Sequence, residues 1–188
     1  MIDHAAATFG ALDVLVNNAV VRHVAPVDAF PSEDWDEALA VNLSAAFHTI
    51  RLAVPAMRRR NFGRIVNMAS GYGFFGAANR VGYVTTKTAL LGLTRAVALD
   101  VIGHDIACNA VCAGTVETPD IAARIDALAA SEGLARKDAI ARYLADRQPS
   151  GRFVEASNVA ALIAFLCSPS GADITGAALL VDGGWTAS

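Results

Sequence analysis

Apolar and polar positions along this chain follow two periods in turn. Residues 12–17, 64–69, 106–112 and 177–181 are short, nearly continuous apolar runs, the pattern of strands covered on both faces of a parallel sheet. Between them, apolar residues recur three and four apart, as on helices buried along one face. Residues 1–9 read as the last turns of an amphipathic helix that Gly10 stops. Pro31-Ser32-Glu33 opens a long helix with Ser32 as N-cap and Glu33, Asp34 and Asp36 at its positive end, continuing past Asn42 to about Met57. A second long helix runs from Tyr83 to about Ile102, and residues 156–166 form a third. Strands joined by helical crossovers predict an α/β, doubly wound (Rossmann-like) parallel sheet with helices on both faces.

That sheet is expected to be incomplete. The first apolar strand, 12–17, has no earlier strand to pair with, and no glycine-rich turn precedes it, so residues 1–188 read as a single truncated Rossmann-like domain. The only literal G-x-G-x-x-G, at Gly71, Gly73 and Gly76, is separated from the next helix by residues 79–82 and reads as a decoy. Residues 117–151 are polar, alanine-rich and helical with few large apolar side chains, which suits a segment covering a substrate site.

Composition narrows the function. With 54% hydrophobic and 18% charged residues in 188, the chain suits one globular domain with a sizeable core. A net charge of −3 leaves no basic footprint for nucleic acid, and Arg58-Arg59-Arg60 reads as a solvated helix end. No apolar run reaches the roughly 20 residues of a bilayer span and no signal peptide is recognisable, so a cytoplasmic protein without membrane contact is expected. Cys108 and Cys112 share a strand face, Cys167 lies on a later helix, and no histidine is spaced to complete a metal site. They are expected to be buried thiols.

The candidate chemistry sits between residues 64 and 95. Tyr83 and Lys87 are one helical turn apart on the same face, so the ammonium can lie beside the phenol. That charge and the positive end of the helix favour the phenolate form, which makes Tyr83 a candidate proton donor and acceptor. Ser70 follows the strand before it, at the edge where open sheets place ligand-binding residues, and could hold a substrate carbonyl oxygen. Asn42 is an odd residue for the middle of a helix.

Taken with Asn17-Asn18-Ala19 after a strand, Asn109 to Pro119, and the closing Val181-Asp182-Gly183-Gly184, these residues resemble the short-chain dehydrogenase/reductase family. The resemblance implies hydride exchange between a nicotinamide cofactor, NAD, and a secondary alcohol or ketone. It makes Ser70, Tyr83, Lys87 and Asn42 catalytic, with Asn42 holding a relay water, and Asn18, Ala19, Tyr83, Lys87, Gly114 and Val116 cofactor-binding. NAD binding is expected to be weak or absent in this form, because the glycine turn and ribose-binding acid are missing. The family has glycine where this chain has Val20, which could crowd the cofactor or resist a positive φ, and Pro-Gly where it has Ala113-Gly114. Segments around Asn79-Arg80, Arg124 and Arg147 resemble the branch containing 2-keto-3-deoxy-L-fuconate dehydrogenase and cytosolic type 2 3-hydroxybutyrate dehydrogenase. The branch implies a small acidic substrate held by Arg80, Arg124 and Arg147. The family's association through long helices, together with the open strand edge, implies a homo-oligomer, dimer or tetramer. Two alternatives stand beside this reading: a cofactor-independent ester hydrolase with Ser70 as nucleophile and Tyr83/Lys87 as base, and a non-catalytic fragment or partial gene product.

Overall fold

The computed structural model describes residues 1–187. Four strands, β1 (Val14–Asn17), β2 (Gly63–Met68), β3 (Ile106–Ala113) and β4 (Ala178–Val181), form one sheet in the order β1-β2-β3-β4 with every pair parallel. Parallel neighbours require crossovers, supplied by α2 (Ser32–Leu39) and α3 (Ala45–Arg60), by α4 (Val81–Asp100), and by α5 (Pro119–Glu132), α6 (Arg136–Leu144) and α7 (Ala156–Cys167); α1 (Ile2–Phe9) precedes β1. The expected α/β sheet is therefore present. β1 pairs with β2 alone, and Val14 and Val16 are 40% and 41% exposed, so it is an open edge.

Strand alternation sends Leu15, Ile65, Ile106 and Cys108 to one face, where they meet Ile50 and Met57 of α3 and Val97 of α4. Val66 and Val111 point the other way, onto Val159 and Leu166 of α7. A polar seam crosses the sheet at the β1–β2 register pair: Asn17 donates to Asn67 (2.8 Å), Thr49 donates to Asn17 (2.7 Å), and Asn67 donates to Thr94 (2.9 Å). Each buried amide thus has partners, as burial requires.

One local expectation is corrected and one is refined. Ser32 is the first helical residue and makes no capping bond; Pro31, with φ −61 and ψ 140, takes the cap position, and its carbonyl accepts the Trp35 N–H at 3.1 Å. Residues 117–151 are two helices broken at Gly133, which adopts the left-handed φ of 64 that ends α5. These helices bury Ile121, Ile125 and Ala139 against one another with Leu128, Tyr143 and Phe153 around them, a small apolar cluster of their own. One further point qualifies the membrane expectation: the continuous helix Ser32–Arg60 is long and apolar enough, at a mean hydropathy of 1.2, to meet the composition of a bilayer span. Here its Ala46, Ile50, Ala53 and Met57 face inward, Ile50, Ala53 and Met57 within the sheet's own core.

Gly171, in the turn after α7, shows how tightly the fold closes far from the site. A β-carbon there would lie 2.6 Å from the Phe165 carbonyl oxygen and 2.8 Å from Leu166 Cα, both backbone atoms that cannot move aside cheaply. Gly171→Ala is expected to cost about 2 kcal/mol and to lower Tm by roughly 4–8 °C; an unchanged thermal midpoint would refute this close approach.

Candidate active site

The carboxyl ends of β1, β2 and β3 open into a cleft of about 640 Å³, with α5 and α6 contributing part of its wall. Ser70, just beyond β2, is buried with extended backbone, and its hydroxyl oxygen accepts the Tyr72 N–H at 3.3 Å. Gly71 and Gly73 belong to a short 3₁₀ turn rather than to a phosphate cradle. A β-carbon on Gly71 would press on the Trp185 ring at 3.2 Å and one on Gly73 on Leu91 at 3.0 Å, so these glycines serve packing.

The first turns of α4 bury Gly82, Tyr83, Thr86 and Lys87, because Gly82 fits under Phe30 and Ala38, where a β-carbon would find 3.2 Å to each. The Lys87 ammonium lies 5.6 Å from the Tyr83 ring centroid and donates to the Met68 carbonyl at 2.6 Å. Burial, and secondarily the Arg22 guanidinium, lower the Lys87 pKa to about 8, while Cys112 opposes this slightly. The lysine thus keeps its charge at neutral pH while being close to losing it. Arg22 stands over the same Tyr83 ring at 5.5 Å and Tyr72 meets it edge-on at 6.0 Å. The phenol is bracketed by two cations and an aromatic wall.

Asn42 lies in a π-helical turn, Ala40–Ser44, an irregularity common at functional positions. Its amide pairs with both backbone groups of Val21, accepting the N–H at 2.8 Å and donating to the carbonyl at 3.0 Å, and donates to Thr86 at 3.4 Å. It therefore fixes the loop after β1 against α4. Val20 has no positive φ, in keeping with the resistance expected of a β-branched residue there, and it lines the cleft.

Asn18, Ser70, Arg80, Tyr83, Lys87, Gly114, Val116, Arg124 and Arg147 all line the cleft, whereas Ala19 and Asn42 do not. Gly114 has a structural reason as well: a β-carbon would come 2.8 Å from Asp182 Cα, where the β3 loop crosses the end of β4. Asp182 in turn accepts from Gly184 and Thr186. Asn79 reaches φ 61 just before Arg80, and its carbonyl takes the Ala25 N–H at 3.2 Å, setting Arg80 at the mouth of α4. Burial pushes the Cys108 thiol up to about 12 and the Cys112 thiol up to about 11, so neither is a ready thiolate.

Sequence reasoning missed Arg22, Tyr72, Gln148 and Trp185. Gln148 is buried and accepts the Thr115 N–H at 2.6 Å while donating to the Arg152 carbonyl, which ties the β3 loop to the end of the α5–α6 segment. Arg22 carried one usable signal, an arginine in the loop at the carboxyl end of a strand. The aromatic contacts of Trp185 with Tyr72 (4.8 Å) and Phe75 (5.0 Å) had none. Among the described residues no side-chain base hydrogen-bonds the Ser70 hydroxyl.

A parallel sheet carrying serine, tyrosine and lysine at its carboxyl edge is the arrangement of a Rossmann-type oxidoreductase. Residues 1–186 match the family model described as enoyl-(acyl carrier protein) reductase. The chain belongs to the short-chain dehydrogenase/reductase family. It is 40% identical to D-beta-hydroxybutyrate dehydrogenase of Cupriavidus necator, a match covering 100% of this chain and 72% of that protein. It is 34% identical to 2-keto-3-deoxy-L-fuconate dehydrogenase of Xanthomonas campestris over 96% of this chain and 59% of the relative. Among solved structures, an actinorhodin polyketide ketoreductase with NADPH superposes at a TM-score of 0.89 with 33% identity, covering 98% of this chain and 71% of that one. Levodione reductase superposes at 0.88 with 27% identity, over 100% of this chain and 71% of its own.

Proposed function

We propose that this chain is a dehydrogenase/reductase for a small hydroxy or keto acid, working with a nicotinamide cofactor. The observation that carries the reading is Tyr83 held beside the Lys87 ammonium in a cleft that Ser70 also lines. Tyr83 takes the hydroxyl proton in one direction and returns it in the other, Lys87 steadies the phenolate, and Ser70 donates to the developing alkoxide. Asn42 positions the loop after β1 and holds the relay water that the family reading assigns to it. A bound nicotinamide supplies or accepts the hydride. The residues present suit its nicotinamide side: Asn18, Gly114 and Val116 line the same cleft as Tyr83 and Lys87. The small acid is favoured by the hydroxybutyrate and deoxyfuconate relatives and by Arg80, Arg124 and Arg147 in the cleft. The α5–α6 segment closes over it. NAD is preferred to NADP on the branch resemblance alone. Reduction of millimolar NAD by 3-hydroxybutyrate or a related acid tests the function, and a folded chain that reduces no nucleotide with any such acid would sink it.

Two subsidiary expectations follow from the same reading. The one G-x-G-x-x-G packs Gly71 and Gly73 on Trp185 and Leu91 rather than offering a phosphate cradle. The 188-residue chain is therefore expected to bind NAD only weakly, and calorimetric titration giving micromolar affinity would contradict this. The open β1 edge, with Val14 and Val16 exposed along it, favours self-association into a dimer or tetramer. Light scattering showing a stable folded monomer at micromolar concentration would overturn that expectation.

A further inference from the structure

Besides the three arginines legible in the sequence, the cleft holds a fourth, Arg22. Its side chain is exposed to the cleft, but both its neighbours in sequence are tied down. Val21 is clamped through both backbone groups by buried Asn42, and His23 is held by Glu37 at 2.8 Å and Asp34 at 3.4 Å. The guanidinium rests on the Tyr83 ring, next to the group that moves the proton.

Among the described residues none of Arg22, Arg80, Arg124 and Arg147 forms an ion pair, although Arg60, Arg64, Arg136 and Arg142 do. With Lys87 the cleft has five cationic side chains facing one carboxylate, Asp120, so 5 − 1 leaves +4. The whole chain carries −3. So much uncompensated like charge is unfavourable until an anion arrives, and it draws anions in. One carboxylate offers about four lone-pair sites, and a single guanidinium fork engages both its oxygens. Arg147 already donates to the Tyr143 carbonyl at 3.1 Å and Lys87 to the Met68 carbonyl at 2.6 Å; a monoacid would still leave most of the other guanidinium donors unanswered.

We propose that the site takes a small hydroxy or keto acid bearing two anionic groups, one met by Arg22 beside Tyr83 and the other by Arg124 and Arg147 on the α5–α6 side. This rests on the hydroxy-acid reading above and names its substrate class. The second group is a carboxylate or a phosphate, which share the bidentate chemistry. Arg80, at the start of α4, serves either group, and Asn42 is a positioning residue for Arg22.

The test is calorimetric titration of the intact chain, and of Arg22→Gln and Arg124→Gln, with 3-hydroxybutyrate, malate, 3-phosphoglycerate and NAD. Malate or 3-phosphoglycerate is expected to bind at least about tenfold more tightly than 3-hydroxybutyrate, the stronger of the two identifying the second group. Arg22→Gln is expected to weaken the dianion about tenfold and 3-hydroxybutyrate less than about threefold; Arg22 is exposed, so the thermal midpoint of the variant is expected to match the parent's. Equal affinity for mono- and dianion, or an Arg22→Gln loss confined to NAD, would overturn the proposal and leave the hydroxy-acid reading standing. Binding of none of the acids would end both.

Discussion

Tyr83→Phe is expected to lower kcat by roughly 10²–10⁴-fold, the usual worth of a positioned proton-transfer group. The substitution removes one oxygen and keeps the ring that Arg22, Lys87 and Tyr72 surround. Among the described residues the Tyr83 hydroxyl makes no hydrogen bond, so folding should change by less than about 1 kcal/mol. Rate and stability therefore separate. Turnover is measured at saturating acid and millimolar nucleotide, with the thermal midpoint of the same preparation as control. A kcat within threefold of the parent would end the dehydrogenase reading. Ser70→Ala should behave similarly at a smaller scale, about 10²–10³-fold, because it removes one donor to a developing oxyanion.

Lys87→Met is expected to leave two separate marks. In turnover, kcat falls and its pH optimum moves upward, since proton departure through Tyr83 then has no ammonium beside it. In stability, the sign follows from burial, which lowers the Lys87 pKa from 10.5 unfolded to about 8 folded, with Arg22 adding to it. Below pH 8 both states hold the proton and the cost of the buried charge is constant. From about pH 8 to 10.5 the unfolded chain binds more protons than the folded one, so stability rises with pH across that window. The full gain is on the order of 3 kcal/mol. Denaturant unfolding of the parent against Lys87→Met at pH 7.5, 9 and 10.5 isolates the contribution as a difference in slope. Parallel curves would show that the lysine is not desolvated as the structure places it.

Much of this molecule is written locally. The apolar runs at 12–17, 64–69, 106–112 and 177–181 become β1 to β4 within one or two residues; β2 and β3 are covered on both faces and so are buried along nearly their whole length, whereas β1 and β4 leave Val14, Val16 and Leu180 exposed. Tyr83 and Lys87 fall on one face because helical period alone dictates it. Where local signals compete, the sequence misleads. Ser32 has a good capping side chain, yet the fixed φ of Pro31 places the cap one residue earlier. Gly71, Gly73 and Gly76 have the spacing of a phosphate loop yet read as a decoy from their distance to the next helix; two of them admit Trp185 and Leu91, one of which lies more than a hundred residues away in the chain.

By itself, then, the sequence determined the α/β class, the strand and helix frame, the pair Tyr83 and Lys87, and a serine at the right end of the right strand. Only the tertiary structure decided which distant side chains share their cleft. Arg22 reaches Tyr83 because Asn42 grips Val21 across 21 residues, and Gln148 takes the Thr115 N–H across 33 while also donating to the Arg152 carbonyl. Trp185 walls the site because the β4 end turns back onto the Ser70 loop. No periodicity encodes such contacts. They follow from how strands stack and where crossovers return the chain, a global outcome of burying both faces of the sheet.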